Sequence, residues 1–177
     1  MKKHLKLCVI SSIFFALFVY LIWGNTALTV SNIKISSSRI PIAFSGFRIA
    51  QVSDLHNAEF GKGNRKLLEL LSESKPDIIA ITGDLVDAGH TDIGVALDFA
   101  KEAVKIAPVY YALGNHELEY MQNQKSEDLL DEIKSTGAIL LEQKYKDIEV
   151  KGVPVRIGGM YGYAFDPNGT TKKADMG

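Results

Sequence analysis

Asp77-Ile78-Ile79-Ala80-Ile81-Thr82-Gly83-Asp84 decides the fold. The run from Ile78 to Ile81 is wholly apolar, too short for a helix, and bounded by Pro76 and Gly83. That is the pattern of a strand in a sheet covered on both faces. Upstream, Phe47-Arg48-Ile49-Ala50-Gln51-Val52-Ser53 reads as a strand entering the core. Downstream, Val109-Tyr110-Tyr111-Ala112-Leu113 and Ala138-Ile139-Leu140-Leu141 read as two more. Helical periods separate them. Asn64 caps a predicted helix to about Ser74, with Leu67, Leu68, Leu70 and Leu71 as its apolar side. Asp92 to Ala107 repeats Ile93, Leu97, Ala100 and Val104 at three- and four-residue steps. Ser126 caps a helix to about Thr136, carrying Leu129, Leu130 and Ile133, and Gly137 ends it. Alternating strands and helices predict an α/β fold, a βαβαβ core on a parallel sheet. From Tyr145 to Met160 the pattern changes. Ile148-Glu149-Val150 and Val155-Arg156-Ile157 flank Lys151-Gly152, which predicts an antiparallel β-hairpin.

The N-terminus carries a different signal. Residues 1–6 are basic, with Lys2, Lys3, His4 and Lys6, and residues 7–23 are uncharged and apolar from Leu7 to Trp23. This length reaches the lower end of the roughly 17–25 residues a spanning helix needs. The basic cluster predicts a single-pass anchor in the cell membrane, with a cytoplasmic N-terminus and the folded domain outside. Tyr20 and Trp23 suit an interfacial belt. A cleaved signal peptide is the rival, but no small-x-small cleavage site stands out around Gly24 to Leu28. Residues 24–46 read as a linker, in which the alternating Thr29 to Ile35 is a candidate edge strand. The folded domain is expected over 47–165 and a frayed polar tail over 166–177.

Charge is nearly balanced, 20 Lys and Arg against 21 Asp and Glu, which gives no nucleic-acid footprint. Cys8 is the only cysteine, so neither an intramolecular disulfide nor a cysteine zinc cluster is available. Gly61-Lys62-Gly63 lacks the third glycine of a dinucleotide fingerprint and does not directly end a strand.

Chemistry concentrates after the strands. Asp54-Leu55-His56 follows the first, Gly83-Asp84 the second and Gly114-Asn115-His116-Glu117 the third. In α/β sheets ligands collect beyond the carboxyl ends of the strands. If residues 54–56 stay extended, Asp54 and His56 point the same way. The two oxygens of Asp84 can bridge two metals about 3.5–4 Å apart. The Asn115 amide oxygen can bind a metal without adding charge, and His116 can protonate a leaving alkoxide. Carboxylate, imidazole and amide ligands suit Mn, Fe or Zn alike.

Taken together, Asp54-x-His56, Gly83-Asp84-x-x-Asp87 and Gly114-Asn115-His116-Glu117 resemble the calcineurin-like metallophosphoesterases. Gln51 to Asn57 and the N-terminal anchor look like their membrane-anchored bacterial branch. The resemblance implies a layered α/β sandwich and two divalent metal ions. Asp54 and His56 would hold the first metal, Asn115 the second, and Asp84 would bridge both. His116 would be the general acid or a transition-state donor near the leaving group, with Asp87 orienting it. The implied reaction is hydrolysis of a phosphomonoester or phosphodiester by a metal-bridged hydroxide. A place at the membrane would suit a lipid-linked or cell-envelope phosphate. Similar proteins continue further and carry another His and a Gly-His-x-His motif, whereas no His follows His116 in this sequence. His90 reads as a surface loop residue. The expectation is therefore the N-terminal part of such an enzyme, with the C-terminal part of the sandwich missing and a sheet edge open over 153–163. The alternative is a catalytically inactive fragment, a membrane-tethered module for metal binding or association.

Overall fold

The structure is a computed structural model. It describes the backbone of residues 2–124 and 128–160 and, outside a few positions in the first 26, their side chains. The chain divides into two compact units, residues 1–33 and 34–177. The expected cap Ser126, the end of the domain at 165, the tail 166–177 and the last residues of the expected open edge lie outside the described residues.

In the first unit, helix α1 (Lys2–Thr26) covers the whole of the expected anchor 7–23. Phe14, Phe15, Phe18 and Tyr20 stand exposed along it. Judged on the described residues, no helix is long and apolar enough to cross a membrane, so the expected span is present here as helix only. The candidate edge strand over Thr29 to Ile35 does not form. Val30, Ile33 and Ile35 are exposed, and strand backbone without a ladder partner has nothing to satisfy its N–H and C=O groups.

The second unit is built on a four-stranded sheet in the order β1 (Ile49–Val52), β2 (Ile78–Ile81), β3 (Val109–Tyr111) and β4 (Ile139–Leu140). Every pairing is parallel, as the βα alternation predicts. Helices α2 (Arg65–Ser74), α3 (Gly94–Ala103), α4 (Asn115–Gln124) and α5 (Asp128–Ser135) complete it. Helix α4 has no counterpart in the sequence reading.

Alternation along the strands sends side chains to two cores. Ile79, Ile81, Val109 and Tyr111 join Leu71, Phe99, Leu129 and Ile133 in the larger, helix-covered core. Ile78, Tyr110 and Leu141 face the other way and meet Phe47, Ile139, Ile148 and Ile157. The last two belong to the hairpin of β5 (Tyr145–Val150) and β6 (Val153–Gly158), so helices, parallel sheet and antiparallel hairpin form three layers. Val150 pairs with Val153 across the two-residue turn Lys151-Gly152. Both turn residues have positive φ, 50° and 81°, which is the hairpin turn that matches strand twist.

Phe99 is 1% exposed in the middle of the larger core. Phe99→Ala lowers stability by about 3–5 kcal/mol, through lost transfer energy and the cavity left behind. A urea melt reads this as a lower midpoint at unchanged slope.

Candidate metal centre at the strand ends

The turn after β1 is not extended. Asp54, His56 and Asn57 all have left-handed backbone, with φ of 56°, 47° and 58°. The expectation that Asp54 and His56 share a face through strand alternation is therefore replaced by a tighter device. The loops after β1 and β2 keep bonding after the strands stop. Asp54 N–H donates to Gly83 O at 3.2 Å, His56 N–H to Asp84 O at 3.0 Å and Asn57 N–H to Leu85 O at 3.0 Å. Asp and Asn tolerate this conformation better than most residues, and such strain collects at functional sites.

The result is a cluster. One ligand atom each from Asp54, His56 and Asp84 lies within 4.8 Å of the others. Metal–ligand bonds of about 2.0–2.2 Å to carboxylate and imidazole fit a set of this span. His56 Nε2 is 3.9 Å from Asp54 Oδ1, and Ser53 Oγ donates to the other Asp54 oxygen at 2.5 Å. The His116 ring meets the His56 ring edge-on at 4.3 Å between centroids. Asn115, the first residue of α4, leans its amide nitrogen toward Glu119 Oε1 at 3.5 Å, so its oxygen is the end left for a cation.

Asp84 itself sits at φ 53° after Gly83 at φ 96°. Its Oδ1 accepts the His116 backbone N–H at 2.8 Å. Close approach fixes the identity of the flanking glycines. A Cβ on Gly83 would stand 2.5 Å from Gly114 Cα, and a Cβ on Gly114 would stand 2.6 Å from Asp84 N and nearer still to its Oδ1.

The general-acid candidate is oriented differently from expectation. His116 Nδ1 accepts the Ala88 backbone N–H at 3.2 Å, while Asp87 Oδ1 lies 3.7 Å away, outside hydrogen-bond reach. Asp87 is bound instead to Gly89 N–H at 2.9 Å and to His90 Nδ1 at 2.8 Å. The Gly89 N–H first, then the His90 ring, hold the Asp87 carboxyl below the usual carboxylate range; burial pulls the other way. His90, read from sequence as a surface loop residue, is indeed exposed, yet it is tied to the site through Asp87.

Sequence reasoning missed the function of Glu117. It is 0% exposed, and its two oxygens accept the N–H groups of Asp84 (2.8 Å), Leu85 (2.8 Å), Val86 (3.4 Å) and Gly114 (2.7 Å), plus the Tyr111 hydroxyl (2.8 Å). Burial, then the charge of Glu117, pushes the Tyr111 hydroxyl well above its ordinary value. The available signal was a Glu three residues past a strand-ending Gly, which is also the spacing of a solvent-facing residue in a helix's first turn.

Comparison with known proteins agrees with this geometry. The family model for the calcineurin-like phosphoesterase matches residues 47–172. A metallophosphoesterase of Caenorhabditis elegans is 32% identical over 158 residues, 88% of this chain. The uncharacterized metallophosphoesterase YkoQ of Bacillus subtilis is 28% identical over 161 residues, 89% of this chain. A transmembrane protein with a metallophosphoesterase domain from Danio rerio is 26% identical over 90 residues, 50% of this chain. The chain spans 32%, 59% and 21% of their respective lengths, less than two thirds of each. By its sequence from Phe47 onward as much as by what its strands carry at their ends, the chain belongs to the calcineurin-like phosphoesterase family.

Proposed function

We propose that the protein is a membrane-anchored hydrolase of phosphomonoesters or phosphodiesters that works with two divalent metal ions. The observation that carries the reading is the convergence of Asp54, His56 and Asp84 with the His116 ring packed on His56. Asp54 and His56 would hold one ion and Asn115 the other, with Asp84 shared between them; Mn, Fe and Zn all suit the donors. Bound metals supply Lewis acidity toward the phosphoryl oxygens and a nucleophile from water at neutral pH.

The chain's own groups do the rest. Because His116 Nδ1 accepts a backbone N–H, the neutral ring carries its hydrogen on Nε2, the atom free to donate a hydrogen bond to the leaving oxygen as negative charge develops there. The anchor and an extracytoplasmic domain are supported by the basic-then-apolar N-terminus and by the likeness to the transmembrane relative. That place favours a lipid-linked or cell-envelope phosphate ester as substrate and suits the membrane-anchored bacterial branch of the family.

The test is hydrolysis of p-nitrophenyl phosphate and of bis-p-nitrophenyl phosphate by the full chain in Mn²⁺. Turnover that EDTA removes and Mn²⁺ restores is the expected result. Absence of metal-dependent release from either ester overturns the reading.

A further inference from the structure

We infer that Glu117 is a positioning residue for the metal centre, a buried clasp that fixes the Gly83-Asp84 turn against the Gly114-Asn115-His116 turn. The inference rests on the metal-binding reading above and adds to it a residue that touches no metal.

Three features separate Glu117 from an ordinary buried polar group. The first is its surroundings. It lies wholly inside the molecule, and among the described residues no Lys, Arg or His forms an ion pair with it. A buried carboxyl is expensive unless its oxygens are fully hydrogen-bonded, and here only donors meet them.

The second is where those donors come from. Asp84, Leu85 and Val86 belong to the loop after β2, Gly114 to the loop after β3, and Tyr111 to β3 itself. One side chain thus joins two turns about thirty residues apart in sequence, and both turns carry proposed ligands. Asp84 is held from both sides. Its N–H goes to Glu117 and its Oδ1 takes the His116 N–H, so the left-handed backbone that aims its carboxyl is fixed at two points.

The third is charge. A negative group directly behind Asp84 lowers the electrostatic cost of gathering divalent cations in front of it. Groups that orient metal ligands typically change metal affinity by 10–100-fold when altered.

Glu117→Gln keeps the shape but offers one acceptor oxygen where two are used, and turns an NH₂ toward N–H donors. The experiment is Mn²⁺ titration of the full chain by calorimetry, at a temperature where wild type and variant are both folded, beside a thermal melt in EDTA. The expected result is a Kd for Mn²⁺ raised about 10–100-fold in Glu117→Gln. A lower melting temperature with unchanged Kd overturns the inference, because a merely structural glutamate behaves that way. Should the Gln variant fail to fold, Glu117→Asp replaces it, with both oxygens kept and one methylene of reach lost. Weaker Mn²⁺ binding by folded Glu117→Asp supports the clasp, and wild-type affinity overturns it. If wild type itself binds no Mn²⁺, the metal-centre reading fails and this inference with it. If wild type binds and the folded variant matches it, the clasp alone fails.

Discussion

Asp84→Asn is expected to abolish metal-dependent ester hydrolysis, a loss of about a thousandfold or more in kcat, with the fold left in place. Asn tolerates the left-handed backbone at position 84. Its amide oxygen can still accept the His116 N–H that Asp84 Oδ1 accepts now, and its own N–H can still reach Glu117. What disappears is the negative charge and one of two metal-competent oxygens, at the residue proposed to bridge the ions. Melting in EDTA should be close to wild type, while Mn²⁺ titration should show weakened or absent binding. Unchanged turnover by this variant would remove Asp84 from the mechanism.

The second large effect is steric. Gly114 is not among the positive-φ residues, so alanine suits its backbone; space is what excludes it. Its Cβ would press on the Asp84 amide and carboxyl. Neither can retreat, since Glu117 and the His116 N–H hold them. Gly114→Ala is expected to destabilise by about 2–3 kcal/mol, the range of overpacking in a tight site. For a chain of this size that lowers the melting temperature on the order of 5–10 °C. Mn²⁺ affinity should fall with it, because the atoms displaced are those of a proposed ligand. Gly152→Ala is the comparison: it meets nothing within 4 Å, so it feels only its positive φ, and its effect should stay in the hairpin turn. Calorimetry with and without Mn²⁺ separates the two. Equal melting shifts and unchanged Mn²⁺ affinity would mean that the loops after β2 and β3 can part at small cost.

Much of this architecture was legible because it rests on repeating patterns. Ile78 to Ile81 could only be a doubly covered strand, and the α/β alternation then set the parallel order and the side on which ligands gather. The hairpin at Lys151-Gly152 was readable from its turn chemistry. What stayed hidden depends on single contacts. Helix α4 has a weak apolar period, with Leu118, Tyr120 and Met121 set among polar residues, and it begins on a residue that reads as turn. Left-handed backbone at Asp54, His56 and Asn57 leaves no periodic trace. Asn64 stands at the start of α2 as expected. Its side chain, however, bonds backward to Phe60 N–H and Ala58 O and makes no cap bond. The Ala88 N–H that orients His116 belongs to a residue whose side chain has no part in the site, so no side-chain pattern could reveal it.

The order of the sheet has a consequence for how the molecule comes together. Sequence neighbours are also spatial neighbours throughout, and the pairs Ile49 with Ile78, Ile79 with Val109 and Tyr110 with Ile139 are separated by 29, 30 and 29 residues. Each new strand therefore closes a loop of nearly the same length, and closure entropy changes only slowly with length. Among the described strands of this sheet, none has to wait for a distant partner. The sheet can grow one βα unit at a time as the chain leaves the ribosome, with Asp54 and His56 placed first, Asp84 next and Asn115 with His116 after that. Glu117 emerges directly behind these last two, so its clasp on the Asp84 turn closes only after the third strand has docked.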